Sequence, residues 1–139
     1  MKVVVDTNVL VSGLLTPFGN SAQIVRMIAS GELSLCLDSR ILTEYNQVLR
    51  RPKFKFDGNM IVAFMDQVEH GSIIVAAHPL PQSLPDPDDN AFLEVAIAGQ
   101  AVCLVTGNLV HFPENKCQGI PVFSPAEFVV FYRKLLENL

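Results

Sequence analysis

Several carboxylates in this chain stand where packing alone explains them poorly. Asp6 closes the apolar run Val3-Val4-Val5 and is followed at once by Thr7 and Asn8. A carboxylate inside a hydrophobic segment is costly unless it is paired, hydrated or bound to a cation. The plainer role is a cap for the next helix or turn. Glu44, projected at about 100° per residue, falls on the flank of the stripe formed by Ile41, Tyr45 and Val48, where a half-buried side chain can look into a cleft. Its plainer role is a solvated helix edge. Asp86-Pro87-Asp88-Asp89-Asn90 has the pattern of a helix start, with Asp86 as N-cap and Pro87 at the first helical position. Acids there also suit the helix dipole. Capping accounts well for Asp86 and Asp88, but Asp89 is in line with Phe92, Leu93 and Ala96 on the apolar stripe. Thr106-Gly107-Asn108 adds a hydroxyl and an amide after another apolar run. Alone it is only a turn.

Brought together, such carboxylates repel, and their pKa values rise unless cations are present. A divalent, oxygen-preferring ion such as Mg²⁺ or Mn²⁺ removes that conflict. Two of them roughly 3.5–4 Å apart can activate water and stabilise the leaving oxygen in phosphodiester hydrolysis. The competing chemistries lack their residues. There is no glycine-rich phosphate loop and no Ser-His-Asp or Cys-His arrangement. His70, His78 and His111 are scattered and lack zinc-ligand spacing. Metal-assisted phosphoryl chemistry is the physical reading that remains, and periodicity does not choose its substrate.

The elements that must position these acids follow from the hydrophobic pattern. Strands are expected at Lys2–Asp6, 33–37, 72–76, 102–106 and 121–123. Helices are expected from a cap at Asn20 or Ser21 through Ile28, with Gly31 just past the end, and over 39–50, 59–69, 88–98 and 126–136. Pro52 ends the helix that carries Glu44, and a proline-rich connection runs from His78 to Pro87. The apolar stretch Val9 to Leu15 invites a signal-peptide reading. Asp6 and the lack of a clean small-residue cleavage site argue against it, and no element is assigned there. Apolar strands alternating with helices imply an α/β domain, a mainly parallel sheet covered on both faces. Such sheets place their sites outside the carboxyl ends of the strands.

The whole chain sets the remaining bounds. Its 139 residues fit one domain, 1–139; half are hydrophobic and 17% charged, which excludes a disordered polymer. No apolar run approaches the roughly 18 residues of a membrane span. Cys36, Cys103 and Cys117 are odd in number and form no close pair, so a reducing, cytoplasmic setting is the simpler inference. A net charge of −4 argues against broad, charge-driven nucleic-acid binding but leaves room for a local basic patch. Arg50-Arg51-Pro52-Lys53-Phe54-Lys55-Phe56 offers one. Arg50, Arg51, Lys53 and Lys55 could grip phosphates while a phenylalanine stacks a base. Equally, the cations could be a solvated helix end and the phenylalanines part of the core.

Four segments, in order, resemble the PIN-domain family: Val3 to Ser12 with Asp6-Thr7-Asn8; Leu42-Thr43-Glu44-Tyr45 with Val48 to Phe54; Asp86 to Leu93; and Leu104-Val105-Thr106-Gly107-Asn108. The match spans nearly the whole chain. It is nearest to prokaryotic members described as toxins of toxin–antitoxin pairs, VapC-like ribonucleases. The resemblance implies a cleft binding one or two Mg²⁺ or Mn²⁺ ions and cleavage of RNA by in-line attack of water, leaving a 5′-phosphate and a 3′-hydroxyl. Asp6, Glu44 and Asp89 then become metal-site and catalytic residues, with Glu44 steering or deprotonating water. Asn108 occupies a metal position often filled by aspartate, which removes one negative charge. Asn8 and Thr106 would orient acids or water, and Asp86 would be an auxiliary acid.

An antitoxin protein and a homodimer, through the helix at 126–136 and an apolar Phe64–Met65 surface, are further expectations; a membrane partner is not. Two other readings remain: a non-catalytic PIN module binding RNA or protein, supported by Asn108, and a haloacid-dehalogenase-like phosphatase. The latter usually wants a second aspartate two residues after the first, where this chain has Asn8.

Overall fold

Val3, Val4 and Val5 are wholly buried in strand β1 (Lys2–Val5), at the centre of the sheet. The computed structural model describes residues 1–139. β2 (Ser34–Leu37) and β4 (Cys103–Val105) flank β1, and β3 (Ile73–Ile74) and β5 (Val122–Phe123) form the edges, in the order β3-β2-β1-β4-β5. Every pairing is parallel. The inner strands are continuous apolar runs because both of their faces are covered.

Six helices complete the fold: α1 (Thr7–Leu15), α2 (Asn20–Ala29), α3 (Ser39–Leu49), α4 (Gly58–Gly71), α5 (Asn90–Ala98) and α6 (Pro125–Glu137). The chain steps from β1 to β2 to β3 in one direction, then crosses back through α5 to β4. With right-handed crossovers, these opposite steps put α1–α4 and α5 on opposite faces. α5 packs across β1, β2 and β4, while α2 packs with α1, α4 and α6. The reversal creates a switch point between the carboxyl ends of β1 and β4, where sheets of this class form their crevice. Register fixes what emerges there. Val5 is paired with Val105, and the Asp6 N–H donates to the Val105 carbonyl at 2.8 Å, so Asp6 and Thr106 leave the sheet side by side.

Some expectations need correction. Residues 7–15 form helix α1, to which the sequence reading assigned no element; Val9, Leu10, Val11 and Gly13 are all buried, so the helix shows no single apolar stripe. α2 is capped by Gly19, at φ +107°, rather than by Asn20 or Ser21. Asp88 and Asp89 belong to a short 3-10 turn, Pro87–Asp89, that precedes α5. Phe64 and Met65 are buried in the core and offer no apolar surface; α6 does expose Val130 and Leu136. Phe54 and Phe56 stack on each other, with centroids 5.8 Å apart, and pack against the core. All three cysteines are buried and unpaired. No helix is long and apolar enough to cross a membrane.

Candidate active site

Asp6 stands at the N-cap position of α1, yet its side chain makes no capping bond. Instead its Oδ2 accepts from the Thr106 hydroxyl at 2.8 Å and from the Asn8 amide at 3.3 Å. Asn8 reaches the second strand end as well, because its Oδ1 accepts from the Gly107 N–H at 3.0 Å. Thr106 is fully buried and its hydroxyl also accepts from the Asn108 N–H at 3.0 Å. The two strand ends are thus stitched by one short network, and Asp6 is its acceptor.

Helix α3 brings the next acid. Its N-cap Asp38 accepts from the Ile41 N–H at 3.1 Å. Its buried Tyr45 donates to the Val5 carbonyl at 2.5 Å, which pins the helix to the end of β1. The neighbouring Glu44 is left half-buried and accepts from the Thr7 hydroxyl.

Asp86 caps the 3-10 turn, accepting from the Asp88 N–H at 3.0 Å. Asp89 caps nothing. His111 Nδ1 lies 3.0 Å from Asp89 Oδ2 but off hydrogen-bond geometry, and that oxygen is buried with no hydrogen-bond partner. Asn108 completes the edge, its amide nitrogen 3.0 Å from His111 Nε2.

The electrostatics bear out the crowding. Asp6, Glu44 and Asp89 all have pKa values raised above the ordinary carboxylate range. Burial is the leading cause in each. The charge of Asp89 adds to it at Asp6, those of Asp6 and Asp88 at Glu44, and those of Asp86 and Glu44 at Asp89. Opposing contributions come from the Thr106 hydroxyl at Asp6, Thr7 and Arg51 at Glu44, and His111 at Asp89. Acids carried by separate elements therefore act on one another through their charges.

A divalent cation fits this donor set. The oxygens are hard ligands, their charges repel, and the buried Asp89 Oδ2 has only His111 Nδ1 beside it, at 3.0 Å and off hydrogen-bond geometry. Asp86 and Asp89 have donor oxygens close enough to share one ion; Asp6 and Glu44 are coupled to Asp89 through their charges, and their own donor atoms lie outside that group. Of the basic patch, Arg51 is close enough for its charge to act on Glu44. Arg50, Lys53 and Lys55 are exposed, Lys53 over the Phe54 ring at 5.1 Å. The residue that sequence reasoning missed is His111. Its signal was the Asn108-x-x-His111 spacing, which a 3-10 turn over Leu109–His111 converts into adjacency.

Asp6, Glu44, Asp86 and Asp89 line none of the molecule's three cavities, the largest of which, about 530 Å³, is lined in part by Leu109 and Phe112.

Comparison with known proteins agrees with this geometry. An uncharacterized protein of Methanocaldococcus jannaschii is 30% identical over 148 aligned positions that span 99% of this chain and 95% of that protein. The PIN domain, as a family, matches residues 2–110, from the first residue of β1 to the turn beyond Asn108. Because that match takes in every segment that builds the acidic edge, the chain belongs to the PIN-domain family.

Proposed function

We propose that this protein is a metal-dependent endoribonuclease, hydrolysing RNA phosphodiester bonds as the toxin of a toxin–antitoxin pair. The observation that carries the reading is the set of buried acids near the switch point that act on one another through their charges, with donor atoms of Asp86, Asp89 and His111 all within 4.8 Å of one another.

A bound Mg²⁺ or Mn²⁺ would neutralise the scissile phosphate and the charge that develops on the leaving oxygen. The chain's own residues do the rest. Asp6 and Asp89 would hold the cation, and the Thr106 hydroxyl and Asn8 amide keep Asp6 Oδ2 in place. Glu44, oriented by Thr7, receives a proton from the attacking water. The water oxygen bonds to phosphorus in line, the bond to the 3′-oxygen breaks, and that oxygen takes up a proton. The products are a 5′-phosphate and a 3′-hydroxyl. Arg51, with the exposed Arg50, Lys53 and Lys55, supplies positive charge for flanking phosphates. Phe54 and Phe56, engaged with each other and the core, make poor base-stacking platforms.

The test is cleavage of a mixed RNA panel with and without Mn²⁺, comparing the native chain with Asp89→Asn. Metal-dependent cutting should fall at least about a thousandfold in the variant, the loss of several kcal/mol of electrostatic stabilisation. Equal activity in the two proteins would remove Asp89 from the mechanism. A specific observation favours one second reading, a non-catalytic PIN module: Asn108 brings no charge to a position often acidic. A well-folded native chain that binds RNA but never cuts it would support that alternative. The toxin role predicts growth arrest on expression, relieved by Asp89→Asn.

A further inference from the structure

We propose that His111 is a metal ligand through its Nδ1, and that it makes this site prefer Mn²⁺ over Mg²⁺. The inference rests on the metal-site reading above and adds a nitrogen donor to it. Donor atoms of Asp86, Asp89 and His111 all lie within 4.8 Å of one another, close enough to share one ion. Nδ1 and Asp89 Oδ2 approach to 3.0 Å without forming a hydrogen bond. A simple ion pair would place the proton of one on the lone pair of the other. Two ligands of a common ion need no such alignment.

Asn108 does not take up the Nδ1 lone pair. Its amide nitrogen lies 3.0 Å from Nε2 and 3.4 Å from Nδ1, beside both ring nitrogens and in line with neither. The His111 N–H donates to the Asn108 carbonyl at 3.1 Å, and the 3-10 turn sets the two side chains next to each other. Imidazole suits transition ions, whereas Mg²⁺ favours oxygen donors. Substituting a nitrogen ligand for a carboxylate therefore shifts the balance toward Mn²⁺.

Mn²⁺ is its own probe. Pulsed electron paramagnetic resonance of the full-length native chain loaded with Mn²⁺ alone should show nitrogen coupling from a directly bound imidazole, absent in His111→Gln. Equilibrium titration should show Mn²⁺ affinity falling about tenfold or more in His111→Gln, with Mg²⁺ affinity, read by competition, nearly unchanged. Asp6→Asn should weaken both ions together. If Mn²⁺ binds in an Asp6-dependent way but without nitrogen coupling, and the Mn²⁺/Mg²⁺ ratio survives in His111→Gln, the inference is overturned and the acidic metal site stands. If the native chain binds neither ion, both readings fall. The nitrogen coupling of the native chain is itself read without any variant, so its absence overturns the inference whether or not His111→Gln folds.

Discussion

Thr106 and Asn8 donate to the same oxygen of Asp6, and each also serves the loop after β4. Orientation of the acid and closure of the switch point are therefore one network. Thr106→Val keeps the buried shape but removes both bonds of the hydroxyl. Metal affinity should drop about 10–100-fold, as for other partners that orient a metal ligand. Thr106→Ser should restore most of it, and Mn²⁺ titration of the three proteins decides the matter. A Thr106→Val protein that binds Mn²⁺ as the native chain does would show that Asp6 needs no such support. At this scale the sequence was informative wherever polarity conflicted with pattern. Asp6 after three valines and Asp89 on the stripe of Phe92 and Leu93 were conspicuous because a charge in an apolar register demands a partner. His111 conflicted with nothing, since no local periodicity runs through its turn. Its proximity to Asp89 exists only after β4 has been laid beside β1, so spacing along the chain carried little trace of it.

The elements that hold the site are themselves closely fitted. α1 carries Asn8 and is held against α2 at Gly13, where an added Cβ would lie 2.4 Å from Val25 Cγ2 and 2.6 Å from the Ser21 carbonyl oxygen. Gly13→Ala would gain helix propensity of roughly 1 kcal/mol. Contact with backbone cannot be relieved by a rotamer change, so overpacking costing about 1–3 kcal/mol should prevail. Urea unfolding monitored by circular dichroism should show a lowered midpoint; a raised one would mean that α1 and α2 can separate freely. The same packing explains why α1 was illegible. A helix buried on several sides loses its amphipathic period, and Val9-Leu10-Val11 resembles strand as readily as helix. α3 and α6 were legible because each has one apolar face and sound punctuation. Asp38 caps α3, and Ser124 with Glu127 forms a capping box on α6. The parallel sheet followed from alternation of elements, but the strand order, which locates the crevice, came from the structure alone.

For the whole molecule, the acidic edge is a cost in stability that binding of the proposed cation would offset. Asp6, Glu44 and Asp89 bind protons more tightly folded than unfolded, since burial and mutual repulsion raise their pKa values. Between the unfolded values near pH 4 and the higher folded values, the native state holds more protons than the unfolded chain. Stability without metal therefore falls as pH rises through that window and stays reduced above it. Asp6→Asn removes one charge while its amide oxygen can still accept from Thr106 and Asn8. At pH 7 without metal, the variant should be more stable than the native chain by about 0.5–2 kcal/mol, a gain typical of relieving a strained site. For a domain this size that is a melting rise of a few degrees, roughly 2–8 °C. The gap should narrow as pH is lowered toward 4 and the native carboxyl takes up its proton. Saturating Mn²⁺ should reverse the order, because an ion at a hundred times its Kd adds about 2.7 kcal/mol to the native chain and little to the variant. Thermal unfolding of both proteins at pH 4 and 7, with chelator or Mn²⁺, tests each sign separately. If Asp6→Asn were less stable than the native chain at pH 7 in chelator, Asp6 would be a structural partner of Thr106 before it is anything else. The crossover on adding Mn²⁺ is the signature of a carboxylate kept for its ion.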